Sequence, residues 1–269
     1  SNGESYNSYR NSYHKPLISL NHQWQINSKS SLSTSLYVSL GRGSGFSGQG
    51  NTEFSPYSYT SWRGAYKGTL YDTFRRSDGT FDYAAIEEIN RTSEYGSALI
   101  AARSNNSHDW YGLLSTYTTK IGQYLDFYGG IDYRFYKGVH RNEISDLFGG
   151  TYYLDSERGN VDVKNNIHAA DPNWRYQKLG VGDVVFRDYD GFVMQEGGFF
   201  QLEYNKDRLA AFVAGSLSNT GYWRYDRFYY DKAHAKSKTV NFIGWNAKGG
   251  LNYNLTENHN VFANIGYIS

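Results

Sequence analysis

Hydrophobic and polar positions alternate with a period of two through four separate stretches, and each reads as two antiparallel strands joined by a short polar turn. In the stretch 110–137 the arms pair across the turn 122–124. One face then carries Tyr111/Phe135, Leu113/Tyr133, Ser115/Ile131, Tyr117/Gly129, Thr119/Phe127 and Ile121/Leu125. The other carries Trp110/Tyr136, Gly112/Arg134, Leu114/Asp132, Thr116/Gly130, Thr118/Tyr128 and the opposite-charge pair Lys120/Asp126. The first face is apolar and the second polar, and Tyr117 opposite Gly129 suits an aromatic ring laid over a strand glycine. Because side chains alternate across a strand, a hairpin of this kind separates two different media. The apolar side must meet either a protein core or lipid.

The other three hairpins repeat the pattern. Near 15–40, Ile18, Leu20, His22, Trp24 and Ile26 alternate with Ser19, Asn21, Gln23 and Gln25. After a turn at 27–31, Leu32, Thr34, Leu36, Val38 and Leu40 share a face. Near 192–221, Phe200, Leu202 and Tyr204 face with Leu209, Ala211, Val213 and Leu217 across a turn at 205–208. Near 238–269, Ile243, Trp245, Leu251, Tyr253 and Leu255 precede a turn at 256–260, followed by Val261, Ala263, Ile265 and Tyr267. With the central hairpin at 108–137, the insertions fall at about 41–107, 138–191 and 222–238. Within the first, 83–91 has helical spacing, with Ile86 and Ile89 inward and Glu87 and Glu88 outward, and 97–103 reads as a further helical turn. Four tight turns thus alternate with three long loops. In an up-and-down meander this puts all tight turns at one end and all long loops at the other, the asymmetry of an outer-membrane barrel. The predicted class is all-β: an antiparallel up-and-down transmembrane β-barrel segment of about eight long strands, one barrel domain over 1–269. The residues expected to face lipid include Tyr111, Leu113, Phe127, Ile131, Phe200, Val213, Trp245 and Leu251.

Composition supports a boundary protein more than a globular one. Aromatics make up 18% of the chain, with 27 Tyr, 29 Gly and only 3 Pro, as suits long strands whose rings sit where apolar and wet surroundings meet. The net charge of +1, with scattered basic residues, gives no nucleic-acid footprint, and the absence of Cys excludes disulfides and thiolate metal sites. The mean hydropathy of -0.68 is that of a water-soluble protein, yet a membrane barrel is polar at every second residue and gives the same average. No apolar run is long enough for a transmembrane helix, and the polar residues 1–10 form no signal peptide. The competing fold is a soluble β-sandwich or a lipocalin-like barrel, polar outside and apolar inside, with shorter strands.

Motifs for chemistry are sparse. GSGFSG at 43–48 matches the spacing of a dinucleotide fingerprint, but NTEFSPYSY follows where a helix is required, so a loop leaving a strand is the better reading. The seven His are scattered without ligand spacing. Asp188, Asp190 and Gly191 suit a turn better than a calcium loop. No nucleophile elbow occurs. The chain is expected to be no enzyme, with no metal and no cofactor. The binding candidates are aromatic and arginine side chains on the long loops: Trp62, Arg63, Tyr66, Trp174, Arg175, Tyr176, Tyr222, Trp223, Arg224 and Tyr225. Such rings suit stacking on a sugar, a siderophore aromatic or a corrin-like ring. The competing reading, that they pack the loops together or form an aromatic girdle, carries more weight.

Several segments resemble a known family. GRGSGFSGQG at 41–50, HDWYGLLSTYTTKI at 108–121, YGGIDYRFYKGVHRNEISDLFGG at 128–150, SNTGYWRYDRFYY at 218–230 and NVFANIGYIS at 260–269 are similar to the barrel region of TonB-dependent outer-membrane receptors. The resemblance implies a large barrel of roughly 22 strands with a plug inside, taking up a scarce nutrient (a siderophore, vitamin or oligosaccharide) with energy from an inner-membrane complex. Neither a plug nor a TonB box is found in these residues, so the chain is expected to be an internal fragment of such a barrel in the outer membrane. Its partners would then be membrane lipid and lipopolysaccharide, the rest of the receptor with its plug, the TonB complex through that plug, a small nutrient ligand and a surface lipoprotein over the loops. The alternatives are a small passive porin or adhesin barrel, which requires the first and last strands to pair, and a soluble carbohydrate-binding β-sandwich.

Overall fold

The computed structural model describes residues 11–57, 74, 76–80 and 82–269. Its nine strands are β1 (Asn11–His14), β2 (Leu17–Gln25), β3 (Ser30–Gly50), β4 (Leu99–Ile121), β5 (Leu125–Asp146), β6 (Val184–Lys206), β7 (Leu209–Asp226), β8 (Val240–Asn254) and β9 (Asn260–Ile268). They form one antiparallel sheet in which, from β3 onward, each strand pairs with the next in sequence. β1 and β2 both pair with β3 and make one edge, interrupted at Pro16. Proline has no N–H to give a ladder; its carbonyl still accepts from the Leu40 N–H at 3.2 Å.

The register of the central hairpin is the one the alternation predicts, from Trp110↔Tyr136 to Ile121↔Leu125. Its turn needs a left-handed residue, supplied by Gly122 at φ 67. The turn between β6 and β7 is tighter than the expected 205–208, because both strands pair up to Lys206↔Leu209 and Asp207 takes φ 51. A short polar side chain tolerates that conformation. The glycine contact differs too. A Cβ on Gly129 would come within 2.6 Å of Phe127 Cζ, so Phe127 and not Tyr117 covers it. The Tyr117 hydroxyl instead donates to Ser30 Oγ at 3.2 Å, leaning toward β3.

Following the register across the ladder, all eight residues expected to face lipid share one face. That face is bare: Ile131 is 55% exposed, Leu217 61% and Leu251 51%. The opposite face carries Ser31, Ser33 and Ser35 on β3, Thr116 and Thr118 on β4, and Asp132 and Arg134 on β5. A single sheet with an open apolar face of this size is neither a two-sheet sandwich nor a lipocalin-like barrel, so both soluble alternatives fall. Among the described residues β2 and β9 do not pair, and the sheet does not close. The small closed barrel falls with that.

Strands are longer and loops shorter than the alternation implies. The segments between paired strands are 51–98, 147–183 and 227–239, in place of 41–107, 138–191 and 222–238. Above the apolar band both faces of the strands turn polar, as in SNNSHD of β4, and alternation ceases to mark a strand that still pairs. The stretch 97–103 is not helical: Leu99–Arg103 opens β4, and Leu99, Ile100, Ala101 and Ala102 are all buried because this part of the sheet is covered on both faces. The helix α1 (Tyr83–Thr92) forms as expected, N-capped by Asp82, which accepts from the Ala85 N–H at 3.2 Å. Its Ile86 packs with Phe74, Leu99, Ala101 and Phe148 on one face, while Tyr153 and Leu179 from 147–183 cover Ile100, Ala102, Ile144 and Val185 on the other.

Candidate functional site

The loop candidates separate once placed. Trp62, Arg63 and Tyr66 lie outside the described residues. Trp174, Arg175 and Tyr176 sit at the end of a short helix, Pro172–Arg175, and tie loops together. The Arg158 guanidinium lies 4.8 Å from the Trp174 ring centroid and also donates to the Trp174 carbonyl. Arg175 approaches Glu53 at 3.8 Å, and the Tyr176 hydroxyl donates to the same carboxylate at 3.2 Å. Arg175 and Tyr176 thus bridge 147–183 to 51–57, while Trp174 packs within 147–183 against Arg158.

Tyr222, Trp223, Arg224 and Tyr225 are consecutive on β7 and therefore alternate between faces. Trp223 points to the apolar face, where it stacks flat on Phe192 at 5.2 Å and lies 6.2 Å from Phe135. With Tyr111, these rings border the top of the apolar band as a girdle. Immediately above them on the same face, Arg227 holds Asp188 at 2.8 Å and Asp190 at 3.0 Å, and Lys137 holds Asp190 at 3.3 Å. Asp188 and Asp190 therefore belong to β6, paired with cations, and form neither a turn nor a calcium loop. The two carboxylates hold the Arg227 guanidinium's pKa well above its ordinary value, so it is permanently charged.

Tyr222 and Arg224 point to the polar face and meet a groove of about 440 Å³ there. Its floor is made by two paired glycines, Gly138↔Gly191, with Arg224 opposite Gly191 on the next strand. Tyr136 and His140 lean over Gly138, whereas a Cβ on Gly191 would meet nothing within 4 Å. His140 stacks on Tyr189 at 4.9 Å and lies 2.9 Å from Asn106 Oδ1 through Nδ1. One row down, His108 stacks with Tyr136 at 5.6 Å and lies 3.0 Å from the Tyr13 hydroxyl. Arg224 is aimed by Tyr230, whose ring centroid is 3.8 Å from the guanidinium carbon. The third loop fixes the far wall, since Ser237 Oγ accepts from the Arg224 N–H at 3.0 Å and sets Lys238 beside the groove.

The loop 147–183 roofs the strands above the groove and is locked by a buried carboxylate. Asp155 accepts from the Phe186 N–H at 2.8 Å and the Glu157 N–H at 3.1 Å. Burial lifts its pKa to about 6 against the pull of those bonds. Of the residues predicted to bind, the structure brings Tyr222, Trp223 and Arg224 to the lining of this groove, and Trp174 and Tyr225 to a separate pocket of about 250 Å³ with Arg227 and Tyr230. Tyr136, His140 and Tyr189 were missed because in sequence they read only as alternating strand positions; paired glycines at 138 and 191 are the signal that marked the opening.

No family model matches the chain, and no curated protein matches it. Among solved structures, the fold is similar to that of the ferric citrate transporter FecA in its unliganded form, with a TM-score of 0.53 and 11% sequence identity over 96% of this chain. At that identity the likeness is one of fold. The chain spans about 28% of that protein's length.

Proposed function

We propose that this chain is a section of the wall of an outer-membrane transport barrel, of the TonB-dependent kind, through which a scarce nutrient is taken up with energy supplied from the inner membrane. The observation that carries the reading is the apolar band. On β4 it covers 111–121, about 36 Å of strand at roughly 3.3 Å per residue, or about 28 Å of height at a tilt near 40°, which matches a hydrocarbon core of roughly 30 Å. The loops gathered at one end and the fold shared with a ferric citrate transporter support the same reading.

Under this reading the apolar face meets lipid and the polar face lines the lumen. The free edges at β2 and β9 pair with further strands of the same receptor, since an open edge has no partners for its N–H and C=O groups in lipid. A plug within the lumen, the TonB complex behind it, and lipopolysaccharide or a surface lipoprotein at the loops are the partners this assigns. No acid–base pair or nucleophile is asked of the chain, whose role is to hold a passage and present a ligand surface.

The test is expression of the natural full-length protein, membrane fractionation, and electrophoresis in mild detergent with and without boiling. Recovery in the outer membrane with a compact species that shifts on boiling is the expected result. A protein that folds cooperatively in plain buffer and shows no shift refutes the reading.

A further inference from the structure

We propose that the groove over Gly138 and Gly191 is a binding site for a flat anion: a ligand with a planar, unsaturated body and at least one carboxylate, phosphate or sulfonate group. This rests on the polar face being the lumenal one, and it adds the chemical class of the ligand.

Charge is the first argument. The groove is lined by two charged basic side chains, Arg224 and Lys238, and by no carboxylate; burial, helped by the nearby Arg187 charge, lowers the His140 pKa and holds that ring toward its neutral form. Asp226 Oδ2 makes a long ion pair with Arg224 Nη1 at 3.8 Å, beyond hydrogen-bond reach, while Asp226 Oδ1 accepts from the Phe228 and Tyr229 N–H groups. Above the groove Arg187 is held by neutral groups alone, donating to Ser104 Oγ at 2.7 Å and Asn142 Oδ1 at 3.3 Å. The apolar face at the same height is different: there Arg42, Lys137 and Arg227 each have a carboxylate within 3.3 Å. On the polar face Arg187 and Arg224 therefore lack a carboxylate at hydrogen-bond distance, which an arriving anion supplies.

Shape is the second. A strand glycine without a covering side chain leaves the backbone bare, and Gly191 is open where Gly138 is crowded by Tyr136 and His140. The opening is flush with the sheet and bordered by the rings of Tyr136, His140 and Tyr222, a setting for a slab and not for a sphere.

The experiment uses the full-length protein in detergent micelles and two fluorescent probes of one ring system: pyranine, a planar aromatic trisulfonate, and hydroxypyrene, which lacks the sulfonates. Saturable pyranine binding that weakens with added salt, at an affinity at least about tenfold above that of hydroxypyrene, is expected, since a hydrogen bond to a charged group contributes roughly one to two decades of affinity. Arg224→Gln and Lys238→Gln should each weaken pyranine about tenfold. Gly191→Phe should abolish binding by filling the floor, with Gly191→Leu as a smaller alternative. Equal binding of the two probes to the unaltered protein, or unchanged pyranine affinity in folded Arg224→Gln/Lys238→Gln protein, overturns the proposal. Each sample is checked for the boiling shift, so loss of the barrel itself is seen separately from loss of the site.

Discussion

Single residues test the two media most directly. Val213 lies on the apolar face in the row Thr119, Phe127, Leu202, Val213. Val213→Arg is expected to cost about 2 to 4 kcal/mol of folding free energy in lipid vesicles. Ser218 lies on the other face between Gly197 and Gly244, and Ser218→Arg should cost under about 1 kcal/mol. Equal costs in a denaturant titration would reverse the face assignment. Asp155 tests the loop roof. Its folded pKa, about 6, exceeds the value of roughly 3.9 for a free Asp, so the folded roof binds the extra proton. The roof's stability is therefore full below about pH 4 and declines as pH rises through 6. Amide exchange across 147–183, corrected for intrinsic rates, should speed up over that window in the natural protein and lose that dependence in Asp155→Asn. The alternation of residues disclosed both faces, yet not the groove. Tyr136 and His140 become a site only because Gly191, more than fifty residues away, leaves the neighbouring strand bare.

At the scale of elements, glycines under rings set how closely strands fit. A Cβ on Gly112 would run into the Tyr37 ring, and one on Gly130 would lie 2.6 Å from Phe199 Cζ. Gly112→Val is thus expected to cost about 1 to 3 kcal/mol through overpacking, whereas Gly191→Ala, with open space above it, should leave the unfolding midpoint in place. Trp223→Ala removes the flat stack on Phe192 and should lose about 0.5 to 1.5 kcal/mol beyond the area term, measured by unfolding in vesicles. Strand ends were the elements least legible in the sequence. The upper part of β4 is polar on both faces and then, from Leu99 to Ala102, apolar on both, and neither run alternates. Helix α1 was legible from its spacing, but its anchor was not. Asn90, buried, donates to the carbonyls of Leu99 and Leu147 and accepts from the Ala98 N–H at 2.9 Å, a long-range clamp without a local signature.

For the whole molecule, the governing feature is a sheet whose two edges are unpaired among the described residues. In the chain alone, the outward amides of β2 and β9 should exchange within seconds to minutes at neutral pH; in the natural full-length protein those same amides should be protected by neighbouring strands. Fast exchange in both would mean that no further strands complete the wall. The strands themselves are also far longer than a bilayer requires. The 23 residues of β4 reach about 75 Å at roughly 3.3 Å each, and the apolar band takes up about half of that. The upper half is covered on each face by a buried cluster, one around Ile86 and Phe148 and the other around Tyr153 and Leu179; the lower half has none and, under the proposed function, takes its apolar surroundings from the membrane. One hydrogen-bonded ladder is therefore held by two unrelated thermodynamic supports. Delipidation removes only the lower one, so the wall should fray upward from its tight turns, like a zip opened from the bottom, and halt where the buried core of the roof begins.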